Sequence, residues 1–281
     1  MNDSVLWLNG QLVPASEARV SPFDHGLLVG DGVFETLRVY GGIPFAWTRH
    51  HERLARSAGG LGLAAPPSTE LREAADAVLA ANGLSNARLR ITVTGGPMPP
   101  GSERAEGPPT VLIMAGPPTP FAATVDVVTV PWARNERGAV AGLKTTSYAE
   151  NVRALTFARE RAAGEAIFLN TRGELCEATG SNVFVIRDGV VRTPADDAGC
   201  LLGVTRALVL ELCAENGIQA DEVTLAPTAL GEADEAFLTS STREVQTIGQ
   251  TDGRAMPAAP GPTTEKIAGL FTELVARDLD P

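Results

Sequence analysis

The sequence predicts an α+β protein of two domains, and three observations lead to this prediction. The chain has 281 residues and 44% apolar residues, enough for one or two globular domains with a sizeable core. Hairpins, alternating strands and amphipathic helices are mixed along both halves. A Pro-rich stretch over 116–120 marks a boundary. We therefore expect a small N-terminal domain over 1–116, a linker over 117–122 and a larger domain over 123–281.

Turn and cap signals predict the elements of the first half. Asn9-Gly10 between apolar residues indicates a β-hairpin over 5–8 and 11–13. Alternation from Val33 to Tyr40 predicts a strand with Phe34 and Arg38 on one face. Thr48 is the expected cap of a helix over 49–58 that Gly59-Gly60 ends, a second helix covers 68–82, and strands cover 87–94 and 110–115. Between the last two strands lies a Pro/Gly-rich loop over 95–109, a length typical of lids and binding loops.

Periodicity predicts the elements of the second half in the same way. A strand opens it, three short strands stand near its middle, and a helix closes the chain. The expected strands cover 123–130, 166–170, 175–178, 182–187 and 236–239, and the expected helices cover 147–163, 207–216 and 263–278.

Composition excludes several classes of function. The formal net charge is −11 and the basic residues form no cluster, which argues against nucleic acid as a partner. Three cysteines without CxxC spacing and three scattered histidines predict a reduced, cytoplasmic protein with no disulfide framework and no metal site. We find no signal peptide and no apolar run long enough to span a membrane.

Lys144 is a candidate for covalent chemistry. The chain has 23 basic residues, yet only Lys144 and Lys266 are lysines. Lysine can form a Schiff base once it loses a proton, whereas arginine cannot. Lys144 also stands where Gly142-Leu143 meets a Thr/Ser-rich segment. The alternative is a surface lysine that has no special role.

Four weaker signals accompany Lys144, each with an ordinary structural alternative. Arg53 lies beside the core face of its helix, where it is either solvated or binds an anion. Glu177 precedes a tight Thr-Gly-Ser-Asn turn, where it is either surface decoration or the partner of a protonated ring nitrogen. Gly203-Val204-Thr205 begins a helix, which suits a phosphate as well as a plain Thr cap. Ser241 and Thr242 follow a strand and offer hydroxyl donors.

Together these groups are what pyridoxal 5′-phosphate (PLP) needs: a lysine, an acid opposite the pyridine nitrogen and a phosphate cup. Their order resembles the class IV, or fold type IV, PLP aminotransferases. That family includes branched-chain and D-amino acid aminotransferases, (R)-amine transaminases and aminodeoxychorismate lyase. The resemblance runs nearly end to end and rests on five motifs: Gly30-Asp-Gly-Val-Phe-Glu-Thr-Leu-Arg38, Leu143-Lys-Thr-Thr-Ser-Tyr148, Glu177-Ala-Thr-Gly-Ser-Asn-Val-Phe184, Leu201-Leu-Gly-Val-Thr-Arg206 and Phe237-Leu-Thr-Ser-Ser-Thr-Arg-Glu244.

The resemblance implies a role for each matched residue. Lys144 would carry the cofactor and shuttle the proton at the substrate Cα, and Glu177 would keep the pyridine nitrogen protonated. Leu201 would pack on the ring face and Tyr148 would reach the ring hydroxyl. It also implies a homodimer, a larger domain with a barrel-like sheet, and amino acid and 2-oxo acid substrates. The phosphate ligands would be Arg53, Gly203, Val204, Thr205, Ser241 and Thr242.

The substrate side of the site points to carboxylates. A bidentate arginine is the usual partner of a carboxylate, and Arg90 and Arg38, with Phe34, lie on polar strand faces near the expected site. The loop after the Arg90 strand lacks the Arg-x-His pair of well-known D-amino acid aminotransferases, since no histidine follows Arg104. We expect an aminotransferase acting on D-amino acids or on apolar, branched-chain amino acids. The alternatives are a 4-amino-4-deoxychorismate lyase and a non-catalytic PLP-binding protein.

Overall fold

The structure, a computed structural model, describes residues 4–281. Within them, helices and strands alternate irregularly along the chain. The helices are α1 His25–Leu28, α2 Trp47–Leu61, α3 Ser68–Ala81, α4 Ala149–Arg159, α5 Val204–Glu215 and α6 Pro262–Arg277. The strands are β1 Val5–Leu8, β2 Gln11–Pro14, β3 Gly32–Tyr40, β4 Ile43–Pro44, β5 Ala87–Thr94, β6 Thr110–Gly116, β7 Thr124–Arg134, β8 Glu165–Asn170, β9 Leu175–Ala178, β10 Asn182–Arg187, β11 Val190–Pro194, β12 Ala220–Val223, β13 Glu235–Ser240, β14 Glu244–Thr251 and β15 Arg254–Ala255.

Contacts divide the chain into two compact units. The first unit contains residues 4–119, Leu143–Tyr148 and Asp278–Pro281, and the second contains Pro120–Gly142 and Ala149–Arg277. The segment with Lys144 thus packs within the first unit, although it follows the predicted linker in sequence. The domain limits drawn from the sequence stay a prediction.

The first unit is built on a six-stranded antiparallel sheet in the order β2-β1-β6-β5-β3-β4. Helices α2 and α3 contact this sheet. The predicted alternation of β3 and β5 is confirmed, because Val33, Leu37, Leu89 and Ile91 all lie in one buried cluster with residues of α2 and α3. The opposite faces of both strands are left for polar and aromatic side chains.

The second unit is built on a nine-stranded mixed sheet. Its strands follow the order β12-β11-β10-β13-β14-β7-β8-β9, with β15 beside β14. The strand β9 at one end of this order continues through the tight turn 179–181 into β10, near the other end, and the Ala178 N–H donates to the Ser181 carbonyl. The sheet therefore has to curl towards closure. This confirms the α+β class and the barrel-like sheet expected for the second half.

Several element limits differ from the sequence prediction for identifiable reasons. Helix α2 continues through Gly59-Gly60 and ends at Gly62, which takes the left-handed conformation with φ 72°. Thr48 does not cap this helix, because it lies inside the first turn and binds the Asp280 carboxylate through its N–H and Oγ1. The expected helix over 147–163 begins only at Ala149. Strands β4, β11, β12, β14 and β15 were not predicted, since four of them are short and the eight residues of β14 lack a clear alternation.

The helices of residues 4–281 were also compared with the length and apolarity that a membrane span requires. None of them meets both requirements.

Candidate active site

Lys144 lies on a short extended segment that pairs with the first half of β3. The Phe34 N–H donates to the Lys144 carbonyl at 3.1 Å, and the Thr146 N–H donates to the Gly32 carbonyl at 2.8 Å. From the other side, the Lys144 N–H donates to Ser57 Oγ on α2 at 3.1 Å. Because hydrogen bonds fix the backbone on both sides of Lys144, its side chain starts from an ordered base.

Gly32 shows how closely this segment approaches β3. A Cβ atom at position 32 would come within 2.9 Å of the Val93 carbonyl and 3.0 Å of Thr146 Oγ1. A side chain here would push the Lys144 segment away from the strand. The glycine in the Gly-Asp-Gly motif therefore serves close packing of backbone on backbone.

Three side chains meet on the ring of Phe34. Lys144 Nζ lies 4.5 Å and Arg90 Cζ 3.7 Å from the ring centroid. Tyr148 meets the same ring edge-on, with 5.3 Å between the ring centroids. An aromatic face attracts cations, so Phe34 holds an amine and a guanidinium in one small region. The structure brings these four predicted site residues together.

Arg90 is half-buried, and no carboxylate of residues 4–281 pairs with it. Its Nε donates to Thr92 Oγ1 at 3.3 Å. Burial lowers the pKa of the Arg90 guanidinium, and Tyr148 opposes this effect. A partly desolvated cation without a counter-ion favours the approach of an anion.

Arg38 lies apart from this group. It follows Phe34 by four residues on β3, which corresponds to about 13 Å along a strand. Its Nη1 donates to the Ala87 carbonyl at 3.4 Å, and its guanidinium lies 5.2 Å from the ring of Tyr40. The two arginines proposed as a carboxylate clamp thus have different surroundings, and only Arg90 shares a ring with Lys144.

Arg53 is buried and forms a network with Glu35 and His50. Its Nε and Nη2 donate to the two Glu35 oxygens at 2.8 and 2.7 Å, and His50 Nδ1 lies 2.7 Å from Glu35 Oε2. The solvated-helix alternative for Arg53 is wrong, because only 5% of the residue is exposed. Whether Arg53 also binds the phosphate stays a prediction.

Charge explains why this network is stable inside the unit. Burial alone would raise the pKa of Glu35, but the charge of Arg53 and the hydrogen bonds from Arg53 and His50 outweigh burial and hold the pKa below its usual value. Burial also lowers the pKa of His50, more than the neighbouring carboxylate raises it. His50 is therefore assigned as neutral with its proton on Nδ1. The network then contains one cation and one anion.

In the second unit, Glu177 is held at both carboxylate oxygens. The Leu201 N–H donates to Glu177 Oε2 at 2.9 Å. Arg134 Nε lies 3.5 Å from Glu177 Oε1. Both partners stabilise a negative charge on this side chain. A fixed carboxylate of this kind suits a protonated ring nitrogen.

The start of α5 offers free backbone donors. Gly203 precedes the helix and no side chain caps it, and Val204 and Thr205 open its first turn. The Asn182 amide donates to the Leu201 carbonyl at 2.7 Å, and a Cβ atom at Gly203 would collide with Asn182 Oδ1. An uncapped helix N-terminus with N–H groups unused by side chains is suited to a phosphate.

Ser241 and Thr242 form the turn between β13 and β14. The Arg243 N–H donates to Ser240 Oγ at 3.2 Å, and Arg243 Nη2 donates to the buried Glu165 at 3.1 Å. The hydroxyls of the turn are thus carried by a backbone that a buried ion pair anchors. Their contact with a phosphate stays a prediction.

The Pro/Gly-rich loop over 95–109 is fastened at several points. The His25 N–H donates to the Gly96 carbonyl and the Met98 N–H to the Phe23 carbonyl, both at 3.0 Å. Arg104 binds the Asp31 carboxylate through Nε and Nη2 and the Leu61 carbonyl through Nη1. Arg104 is therefore already paired with a carboxylate of its own unit.

Taken one by one, these groups fit PLP. The first unit has an amine on an ordered segment, and the second unit has a doubly held carboxylate and an uncapped helix N-terminus. The family model described as amino-transferase class IV matches residues 32–250. The chain belongs to this family. It is a PLP-dependent aminotransferase of fold type IV, and the suspected resemblance is confirmed.

Similar proteins bear three kinds of name. The chain is 35% identical to a Methanocaldococcus jannaschii protein named as a branched-chain-amino-acid aminotransferase, over 96% of both chains. It is 32% identical to the D-alanine aminotransferase of Listeria monocytogenes, again over 96% of both. The aminodeoxychorismate lyase of Bacillus subtilis is 33% identical over 86% of this chain and 84% of its own.

A solved structure agrees with the fold. The branched-chain aminotransferase of the thermophilic archaeon Thermoproteus uzoniensis, in complex with norvaline, superposes with a TM-score of 0.90. Its sequence is 33% identical, and the match covers 97% of this chain and 94% of that one. When bound, PLP supplies an electron sink that allows the α-proton of an amino acid to leave.

The sequence reasoning missed Glu35, His50 and Arg134. A signal for Glu35 was present, because it stands between Val33 and Leu37 on the apolar face of β3. A carboxylate on a buried face needs a cation beside it, and Arg53 on the neighbouring helix is one. Arg134 gave no such signal, since it ends a strand among other loop arginines.

We expect Glu35→Gln to lower the free energy of unfolding by about 3–5 kcal/mol at neutral pH, because it leaves Arg53 buried without its counter-charge. Denaturant unfolding at several pH values measures this. The folded-state pKa of Glu35 lies below its ordinary value of 4.5. The contribution of the pair is therefore complete above pH 4.5 and decreases as the pH falls further.

The matched control is Glu52→Gln, an exposed glutamate on α2, the helix that carries Arg53. It should change stability by less than about 0.5 kcal/mol at any pH. If the two variants are equally stable at neutral pH, the buried network does not stabilise the fold as described.

Proposed function

We propose that this aminotransferase acts on α-amino acids and 2-oxo acids whose carboxylate is bound by Arg90. The observation that carries the proposal is the position of Arg90: it lies on the same ring as the Lys144 amine, half-buried and unpaired with any carboxylate of residues 4–281. A substrate carboxylate would supply the missing counter-charge. A planar guanidinium can bind it through two parallel hydrogen bonds.

Lys144 is the proposed catalytic residue. Its amine would hold the cofactor covalently and would take and return the proton at the substrate Cα. Arg90 stays protonated at any working pH, so of the two cations on the ring of Phe34 the lysine is the one that exchanges a proton. Tyr148, on the edge of the same ring, is proposed to contact the cofactor.

The other cofactor contacts are proposals that follow the family motifs. Glu177 would hold the ring nitrogen and Leu201 would cover the ring. Arg53 would take part in phosphate binding with its orientation set by Glu35. Because the start of α5 is uncapped, we assign this helix N-terminus to the phosphate cup. The remaining phosphate ligands are then Gly203, Val204, Thr205, Ser241 and Thr242.

The proposed donors are D-amino acids or amino acids with apolar, branched side chains. Both names occur among the similar proteins. Arg104 is paired with Asp31, which supports Arg90 rather than Arg104 as the carboxylate ligand. Arg38, on the far part of β3, would at most contact a distal group of the substrate.

We further propose a homodimer in the cytoplasm. Five large apolar side chains are exposed within one short segment before β3, and such a patch is typical of a protein interface. The exposed residues are Val20, Phe23, Leu27, Leu28 and Val29.

The cytoplasmic location is proposed from the cysteines. The three cysteines are buried free thiols, which is compatible with a reducing compartment.

Arg90→Ala should reduce kcat/KM for amino acids by about 10- to 150-fold, the effect of losing a hydrogen-bonded charge pair worth about 1.5–3 kcal/mol. Most of the loss should be in KM, and an amine donor without a carboxylate should be affected much less. Steady-state kinetics with D-alanine, L-leucine and an aryl amine measure this. Arg38→Ala is the matched control and should change the three rates far less.

Equal losses with amino acids and amines would refute the carboxylate role of Arg90. Turnover of aminodeoxychorismate alone, with neither amino acid used, would favour the lyase. If none of the amino donors changes the visible absorbance of the protein, the protein binds the cofactor without aminotransferase activity.

Borohydride reduction of the purified protein should attach a pyridoxyl group to the peptide that contains Lys144. The chain has only one other lysine, Lys266 on α6, so peptide mass spectrometry gives an unambiguous result. Lys144→Ala should abolish the label, and Lys266→Ala should leave it unchanged. A label on Lys266 would overturn the assignment of the catalytic amine.

Leu27→Asp should dissociate the homodimer at micromolar concentration, because it places a charge in the most exposed residue of the apolar segment, 69% accessible. Analytical ultracentrifugation measures the mass. Val140→Asp changes an exposed apolar residue of the second unit, 44% accessible, and should have no effect. A Leu27→Asp variant that remains dimeric would place the interface elsewhere.

A further inference from the structure

Arg134, the last residue of β7, is held by contacts on several sides. Its guanidinium lies 4.2 Å from the ring of Phe168. Nη1 donates to Glu150 at 2.6 Å and Nη2 to Asn151 at 3.2 Å. The third nitrogen, Nε, lies 3.5 Å from Glu177 Oε1. Side chains of two elements, β8 and α4, thus hold the guanidinium, and its Nε lies within ion-pair distance of Glu177.

The Nε–H group of Arg134 is buried and makes no hydrogen bond within residues 4–281. A buried donor without an acceptor costs about 1–3 kcal/mol. Glu177 Oε1 lies 3.5 Å from this nitrogen, and the other Glu177 oxygen accepts from the Leu201 N–H. Glu177 is thus enclosed between a backbone donor on one side and a cation on the other.

The strands explain why this arrangement is rigid. Phe168 on β8 is the cross-strand partner of Glu177 on β9, and Arg134 stacks on that phenylalanine. Arg134 and Glu177 therefore reach each other across one fully buried ring. Neither side chain is more than one-fifth exposed, so the ion pair is only weakly screened by solvent.

Other titratable groups near Glu177 do not replace this charge. Cys176 precedes it on β9, and Cys200 lies in the loop before α5; burial raises the pKa of both thiols, so they stay neutral. Glu150 on α4 binds Arg134 from the solvent side and is half exposed. Glu136, in the loop after β7, also acts on Cys176. Its own carboxylate is bound to Thr171.

We propose that Arg134 is a positioning residue that keeps Glu177 ionised and oriented for the cofactor nitrogen. The cation lies against the carboxylate, so its charge penalises a proton on either Glu177 oxygen. Contacts with Phe168, Glu150 and Asn151 fix the Arg134 guanidinium, so its Nε–H group limits the positions that the Glu177 carboxylate can take. This inference rests on the proposed role of Glu177.

The first test uses the holoenzyme with Arg134→Gln. The visible absorbance of the bound cofactor is titrated against pH, and the Kd for PLP and the pH profile of kcat are measured in parallel. Losing an opposite charge at this distance shifts a carboxyl pKa upward by about 1–3 units. We expect the acid limb of both curves to move upward by the same amount, and kcat to fall more than KM rises.

Arg137→Gln is the matched control for the loss of charge. It removes the same charge from the loop that follows β7, at a side chain 80% exposed whose ion pair is with Glu136. Its acid limb should coincide with that of the unaltered enzyme. Arg134→Lys keeps the positive charge but loses the planar guanidinium over the Phe168 ring. Its acid limb should therefore shift less than that of Arg134→Gln. It also serves if Arg134→Gln does not fold.

The double variant decides whether Arg134 acts through Glu177. With Glu177→Gln in place no carboxyl remains to titrate, so adding Arg134→Gln should shift the acid limb no further. A further shift of similar size would overturn the inference. So would an acid limb of Arg134→Gln equal to that of Arg137→Gln, or an acid limb of Arg134→Lys that moves by the full shift of about 1–3 units expected for loss of the charge. If Glu177→Gln alone leaves the spectrum and the pH profile unchanged, the proposed role of Glu177 fails instead.

Discussion

The backbone pairing between the Lys144 segment and β3 is the constraint on which the first half of the site depends. Two N–H···O=C bonds join residues 32–34 to residues 144–146. They place the lysine beside the ring of Phe34. The next residue of the strand could not contact the lysine in this way, because alternate side chains point to opposite faces. Glycine suits position 32, because a Cβ atom there would crowd the Val93 carbonyl of β5 and the Thr146 hydroxyl of the Lys144 segment. A chain segment distant in sequence thereby becomes an extra strand of the N-terminal sheet.

Charge placement gives the molecule a second level of organisation. The protein is strongly acidic, yet arginines stand at the decisive positions and most of them already have a carboxylate. Arg53 is paired with Glu35, Arg104 with Asp31 and Arg243 with Glu165. Such pairs fix geometry at the cost of desolvation and contribute modestly to net stability. The exception beside Lys144 is Arg90, which has no carboxylate partner within residues 4–281. Such a cation next to a reactive amine is an arrangement suited to an anionic substrate.

Much of this was readable from the sequence, and the gaps have physical reasons. The strand faces of β3 and β5 followed from strict alternation, and the candidate residues followed from motifs in which each residue type has a chemical purpose. The predicted length of α2 was too short because Gly59-Gly60 resembles a stop signal. A helix can nevertheless continue through glycine, at a cost of about 1 kcal/mol for each glycine, when packing supports it. Glu35 and Arg134 were missed because their roles exist only through partners distant in sequence. Propensity and spacing do not encode such pairings. Strands β4, β11, β12 and β15 were missed because they are short, and β14 was missed because its residues lack a clear alternation.

The route of the chain through the first unit has a consequence for its synthesis. The unit holds residues 4–119, but it also includes 143–148 and the last four residues, where the Asp280 carboxylate binds the first turn of α2 and the Pro281 carbonyl accepts from Arg49. Domains generally fold as they leave the ribosome, beginning with the N-terminal one. Here the first unit also includes residues 143–148 and 278–281, so residues 4–119 do not hold all of its contacts by themselves. When only residues 4–119 have emerged, the first turn of α2 therefore still lacks the Asp280 carboxylate that binds it.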